Sequence, residues 1–225
     1  MIKRLYHGSS GVIEKPVFGY GKTYNDYGLG FYCTENLDMA KEWASGKERN
    51  GFANCYELDC SDLQILDLNA PDYCILHWLA VLLKNREFDT PPGLPLEAKD
   101  YLTAHFSVPY EEYDAIIGYR ADDSYFSFAQ DFLSGTISYR QLNRAMHLGK
   151  LGLQFVLKSK NAFDRIRFVE SQPVDGREWY AKRMLRDKKA RSAYFDVERN
   201  RRQPGDLYII QILDEEMRTD DPRLR

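Results

Sequence analysis

The chain has 225 residues, 44% hydrophobic and 29% charged, with a formal net charge of −3. That content supports a substantial core, with one domain plus an appendage as the default. No basic, then apolar, then small-residue leader opens the sequence and no apolar run approaches about eighteen residues, so neither secretion nor membrane insertion is indicated and a cytoplasmic setting fits. The four cysteines, Cys33, Cys55, Cys60 and Cys74, form no Cys-x-x-Cys pair and have no clustered histidine, which reads as reduced, mostly buried thiols and no metal site.

In chain order, β-like runs are predicted at Lys3–Tyr6, Gly30–Thr34, Asn54–Leu58, Ala115–Tyr119, Gln154–Leu157 and Arg167–Val169. Helical stretches are predicted at Leu37–Ser45, Asp72–Arg86, Pro95–Ala104, Ser124–Leu133, Ser138–Met146 and Asn161–Arg165. Separated strands without a regular βαβ beat predict an α+β fold with mainly antiparallel pairing. The helix from Asp72 sets Ile75, Leu76, Leu79, Leu82 and Leu83 on one face with Trp78 at its edge, a core-packing pattern. His77, His105 and His147 have no partners at ligand spacing and read as structural or surface residues.

Beyond Pro173 the character changes, giving a main domain over 1–172 and an extension over 173–225 that is too short for its own core. Glu178 to about Tyr194 reads as a basic amphipathic helix, and Asp206–Leu213 as a strand or short closing element. Arg177 to Arg202 carries ten basic residues against four acidic ones, a net +6 that leaves −9 for the rest. The asymmetry suits a polyanion such as RNA or DNA, and equally a solvated helix whose cations pair with the acidic body.

Two short motifs carry the chemistry. Leu5-Tyr6-His7-Gly8-Ser9 reads as a strand ending at a His-Gly pair, with Gly8 admitting a close approach and its N–H and C=O available to a carboxamide. Neutral His7 offers one donor and one acceptor, which suits a ribose hydroxyl. Tyr27-Gly28-Leu29-Gly30-Phe31-Tyr32-Cys33-Thr34 reads as a glycine turn entering a strand, followed by a helix, capped by Thr34 or Asn36, that carries Trp43. Tyr32 and Trp43 can then take a flat ring between aromatic faces. Each motif singly is better explained by a loop-satisfied histidine and ordinary core aromatics.

In this order the motifs resemble the ADP-ribosyltransferase superfamily, in its poly(ADP-ribose)-polymerase-like branch with a His–Tyr–Glu triad. Together with Ala40–Ala44, Tyr113–Gly118, Ala121-Asp122-Asp123 and Gln154-Phe155-Val156, they are similar to a bacterial family of uncharacterised ADP-ribosyltransferase-like proteins, over about residues 1–170. The resemblance implies two small, mainly antiparallel sheets around a split NAD-binding cleft, with NAD as substrate. It implies catalytic roles for His7 and Tyr32, and NAD contacts from His7, Gly8, Ser9, Gly30, Phe31, Tyr32 and Trp43. It further implies a toxin or phage-defence effector, a macromolecular acceptor and an antitoxin or inhibitor partner.

The triad's glutamate is matched by Gln154. Cleaving the nicotinamide–ribose bond develops positive charge on the sugar, which a carboxylate stabilises and an amide stabilises less. Transfer of a single ADP-ribose is therefore expected over chain elongation. Alternatively Gln154 is a polar residue at a strand entrance and Glu170, Asp122 or Asp123 supplies the carboxylate. Asp122 and Asp123 are candidates for ribose or acceptor contacts, and for capping the helix near Ser124. Two other readings stay open: an NAD-binding module without turnover, and a basic-tailed RNA-binding or RNA-cleaving protein in which both motifs are structural.

Overall fold

The computed structural model describes residues 1–121, 123–148 and 152–224. Strand β1 (Ile2–Ser9) pairs antiparallel with β3 (Gly51–Asp59), which pairs antiparallel with β7 (Ile166–Val174), giving a three-stranded sheet in the order β1-β3-β7. The second sheet runs β2 (Phe31–Cys33), β6 (Leu153–Leu157), β5 (Ala115–Tyr119), β4 (Ile65–Asp67), antiparallel except for the parallel β4–β5 pair. With eight α-helices among the described residues, this is an α+β fold with two mostly antiparallel sheets. No described helix is long and apolar enough to cross a membrane.

The sheets meet at one bridge, where Tyr6 and Thr34 exchange backbone hydrogen bonds of 2.8 and 2.9 Å. Alternation then assigns the faces. Leu5 and His7 look toward the four-stranded sheet, whose Cys33, Phe155 and Leu157 join Leu5 and Leu58 in a small core between the sheets. Tyr6 and Gly8 look the other way, toward helix α1 (Leu37–Ala44), which packs on β1 and β3. Asn36 caps α1 by accepting from the Met39 N–H, and Ala40 and Ala44 let it approach closely.

The larger core lies on the far side of the four-stranded sheet. There α2 (Ile75–Asn85), α3 (Leu94–His105), α4 (Asp123–Leu133), α5 (Tyr139–Ala145) and α8 (Ile209–Asp214) gather around Ile116 and Val156. Helix α2 is buried on every side from Ile75 to Leu83, so the single apolar face expected for it is too narrow. Helix α6 (Lys160–Asp164), capped by Ser159, leads into β7. Helix α7 (Gly176–Asp196) is capped by Asp175, whose carboxylate accepts from the Arg177 and Glu178 N–H groups, and packs against α1 and α4.

Further expectations are corrected. Strand β1 does not stop at Tyr6, because β3 offers a partner for every residue through Ser9 and so holds His7 and Gly8 inside the ladder. The β-branched run at 206–213 is not a strand: Ile209 and Ile212 are buried one turn apart in α8, and Gln211 folds back onto the Tyr208 N–H to start the helix. Helix α7 is not amphipathic, since only Gly176, Ala190 and Tyr194 are buried along its 21 residues. Strand β4, for which no run was predicted, is too short to show a period of its own and depends on β5 for its ladder.

Candidate functional site

Past the Tyr6–Thr34 bridge, β1 and β2 separate and a side chain replaces the ladder: His7 Nδ1 lies 2.7 Å from the Tyr32 carbonyl oxygen. A carbonyl only accepts, so Nδ1 carries the proton and the neutral ring leaves Nε2 as an acceptor. The ring rests on Phe31 at 4.5 Å between centroids. Burial pushes the His7 pKa down and so favours the neutral ring, opposed in part by the bond to the Tyr32 carbonyl.

Tyr32 is held from both sides. Its hydroxyl donates to the Gly28 carbonyl at 2.6 Å and accepts the Tyr27 N–H at 3.0 Å. Burial drives its pKa up, so it serves as a fixed neutral ring and not as a base. The turn that does this needs Gly28 at φ +70°. Tyr27 in turn occupies the space over Gly118, where a Cβ would stand 2.1 Å from its hydroxyl oxygen. Lys158 fastens the same turn to the end of β6, donating to the Tyr27 and Leu29 carbonyls at 2.6 Å each.

The separation opens a cleft of about 530 Å³, within the range of roughly 300–1,000 Å³ typical of small-molecule sites. His7, Gly30, Phe31, Tyr32, Trp43 and Gln154, all candidates from the sequence, line it. Tyr32 and Gln154 share a face of the four-stranded sheet, Tyr32 opposite Val156 and Gln154 two residues along. The Gln154 side-chain oxygen and the Trp43 indole N–H are buried without a hydrogen-bond partner. A buried polar group left so costs about 1–3 kcal/mol, which a ligand or water that pairs with it recovers.

Gly8 and Ser9 are not among the residues lining the cleft. A Cβ on Gly8 would lie 2.0 Å from the Ala40 carbonyl oxygen, so helix packing, and not ligand approach, demands the glycine. Its backbone nevertheless faces the same side as that of Tyr6, away from β3. The Ser9 hydroxyl donates to the Gly11 carbonyl and accepts from Asn54. Asp122 lies outside the described residues, and Asp123 opens α4 with nothing described of its side chain. Glu170 is exposed on β7, in the other sheet and not in the cleft lining.

Among the described residues the carboxylate lining the cleft is Asp26, which sequence reasoning missed. It is 5% exposed. Its Oδ2 accepts from the Ala121 N–H at 3.0 Å and from Gln154 Nε2 at 3.1 Å, while Oδ1 lies 3.5 Å from an Arg86 nitrogen. Burial raises its pKa, against the pull of the Ala121 N–H, Arg86, Arg120 and Gln154. Arg86 also covers the Phe126 ring, and Arg120 covers Trp43 at 4.9 Å. Among the described residues, Lys15, Arg86 and Arg120 thus face a single lining carboxylate, and that wall favours an anion. The only local signal was that Asp26 directly precedes Tyr27-Gly28; in a loop of Lys, Asn and Gly it reads as a turn residue.

Arg186 and Arg199 tie the basic segment to the body. Arg186 reaches buried Glu42 at 2.8 Å, Arg199 reaches Asp131, and Lys182 and Arg191 pair with Glu178 and Asp187 on their own helix. Arg177, Lys188, Lys189, Arg201 and Arg202 are exposed. Among the described residues no group of three or more His, Cys, Asp or Glu side chains is placed to hold a metal ion.

Fold and site together define an α+β protein with a split-sheet cleft walled by aromatics and cations. The chain belongs to the family described as a protein of unknown function, DUF3990, which matches residues 3–168. Every residue named above as lining the cleft falls inside that match, and α7 and α8 lie beyond it. No curated protein and no solved structure matches the chain.

Proposed function

We propose that this chain has an ADP-ribosyltransferase-like fold and is an NAD-dependent mono-ADP-ribosyltransferase acting on a macromolecular acceptor. The observation that carries the reading is the convergence of His7, Tyr32, Trp43 and Gln154, from four separate elements, on one cleft. The three lining cations suit the pyrophosphate of a dinucleotide. His7 Nε2 accepts from a ribose hydroxyl, the Gly8 backbone pairs with the carboxamide, and the nicotinamide ring lies against Tyr32 and Trp43. The Gln154 oxygen accepts from a hydroxyl of the reacting ribose. The ribose C1′–nitrogen bond breaks with its electron pair leaving on neutral nicotinamide; an acceptor nucleophile bonds to C1′ and loses a proton.

Incubation with adenine-labelled NAD and a cell extract, split between protease and nuclease treatment, tests the reading. Nicotinamide release and label transfer, both abolished by Tyr32→Ala, are expected, and the sensitivity of the label identifies a protein or nucleic-acid acceptor. Absence of both release and label overturns it. A second reading, an NAD-binding module without turnover, is favoured by the amide of Gln154 where a carboxylate would act best; it expects NAD binding with no release.

A further inference from the structure

Asp26 joins the two halves of the cleft that the sequence motifs do not connect. Its Oδ2 holds the chain two residues past β5 through the Ala121 N–H and the start of β6 through Gln154, 128 positions away in the chain. A carboxylate accepts and does not donate, so Gln154 must turn its NH2 toward Asp26. The amide is planar, and its oxygen is thereby directed away from Asp26. That oxygen is the buried acceptor with no partner, on a side chain 5% exposed that lines the cleft beside Tyr32. An isolated glutamine has two nearly equivalent orientations; this one has a single orientation because a buried carboxylate selects it. The segment Asp26-Tyr27-Gly28 therefore sets both cleft residues on this sheet face, Gln154 through the first and the Tyr32 hydroxyl through the other two.

We propose that Asp26 is a positioning residue which orients and polarises the Gln154 amide, so that its oxygen is the hydroxyl acceptor nearest the reacting ribose and regains part of the negative character a glutamate would supply. The inference rests on the NAD reading and adds to it that the site's carboxylate acts one residue removed. Charge on Asp26 draws the amide dipole toward the ligand side, strengthening the bond the oxygen accepts as the sugar becomes cationic. Arg86 at 3.5 Å and the Ala121 N–H keep the carboxylate in place without competing for Gln154.

The test is a charge swap, read as steady-state nicotinamide release and NAD affinity for wild type, Asp26→Asn and the double variant Asp26→Asn with Gln154→Glu. Asp26→Asn is expected to lower kcat about tenfold or more with KM for NAD within about threefold, since it removes transition-state stabilisation more than binding. The double variant, in which the new amide donates to the new carboxylate, is expected to recover most of that loss. A purely structural Asp26 would change thermal stability without this split or this recovery. Asp26→Asn at wild-type turnover, or a folded double variant no better than the single one, overturns the proposal alone. Wild type that neither binds nor cleaves NAD overturns the NAD reading and this inference together. Wild type that binds NAD without release has no cationic sugar for the Gln154 oxygen to stabilise, and overturns the proposal while leaving NAD binding in place. Should Asp26→Asn fail to fold, the side-chain amide signals of Gln154 in wild type, assigned by their loss in Gln154→Glu, decide: slow solvent exchange and a shift on adding NAD support it, and fast exchange overturns it.

Discussion

The cleft and the α1–α7 contact use polar groups in opposite ways. Where α7 crosses α1, the buried Glu42 carboxylate receives both the Nε and an Nη of Arg186 at 2.8 Å, and on α4 Asp131 accepts from the Tyr194 hydroxyl and Arg199. In the cleft, Gln154 and Trp43 each keep a buried polar atom without a partner. Elsewhere among the described residues such atoms occur on Arg144 and Glu198, which face each other at 3.6 Å, and on Ser171. Paired groups hold elements together; the unpaired atoms of Gln154 and Trp43 lie where a ligand can complete them.

The largest effect that tests this contrast is Arg186→Ala. It leaves Glu42 buried without its counter-charge, and a loss of about 3 kcal/mol or more in denaturant unfolding is expected; a change within about 0.5 kcal/mol would remove the distinction. Next, NAD at a hundredfold excess over its Kd should stabilise wild type by roughly 2.7 kcal/mol through linkage, and do so far less in Tyr32→Ala, as read by thermal shift. A smaller effect is pH-dependent. With its folded pKa depressed below the ordinary value of 6.5, His7 contributes stability that is complete above that value and declines as pH falls through the depressed one. His7→Asn should flatten the fall in stability on acidification, leaving the share of His77, which burial lowers in the same sense. Smallest is Lys188→Glu with Lys189→Glu: both side chains are exposed, so stability should stay within about 0.5 kcal/mol. If the acceptor is nucleic acid that α7 binds, the salt dependence of label transfer should fall all the same.

Much of the frame was legible because its causes are local. The β2 strand and the capped α1 helix were readable from glycine placement, the Asn36 cap and apolar spacing, and the order of His7, Tyr32, Trp43 and Gln154 was enough to nominate one pocket. What was not legible depends on distant partners. Asp26 gains its role only when its loop folds against β5 and β6. Gly8 carries a helix-packing constraint that no window around β1 contains. The run at 206–213 has the composition of a strand, and only its docking against α3 makes the helix the better solution.

The segment joining β1 to β2 is anchored at its base by Lys158 and by the Tyr32 hydroxyl, yet Val17, Phe18, Tyr20 and Tyr24 along its rim are exposed, Tyr20 by 82%. Its floor and its entrance are thus separately adjustable. Exchanges over 17–20 can reshape the entrance while Asp26, Tyr27 and Gly28 keep their hydrogen bonds, since an exposed loop tolerates change.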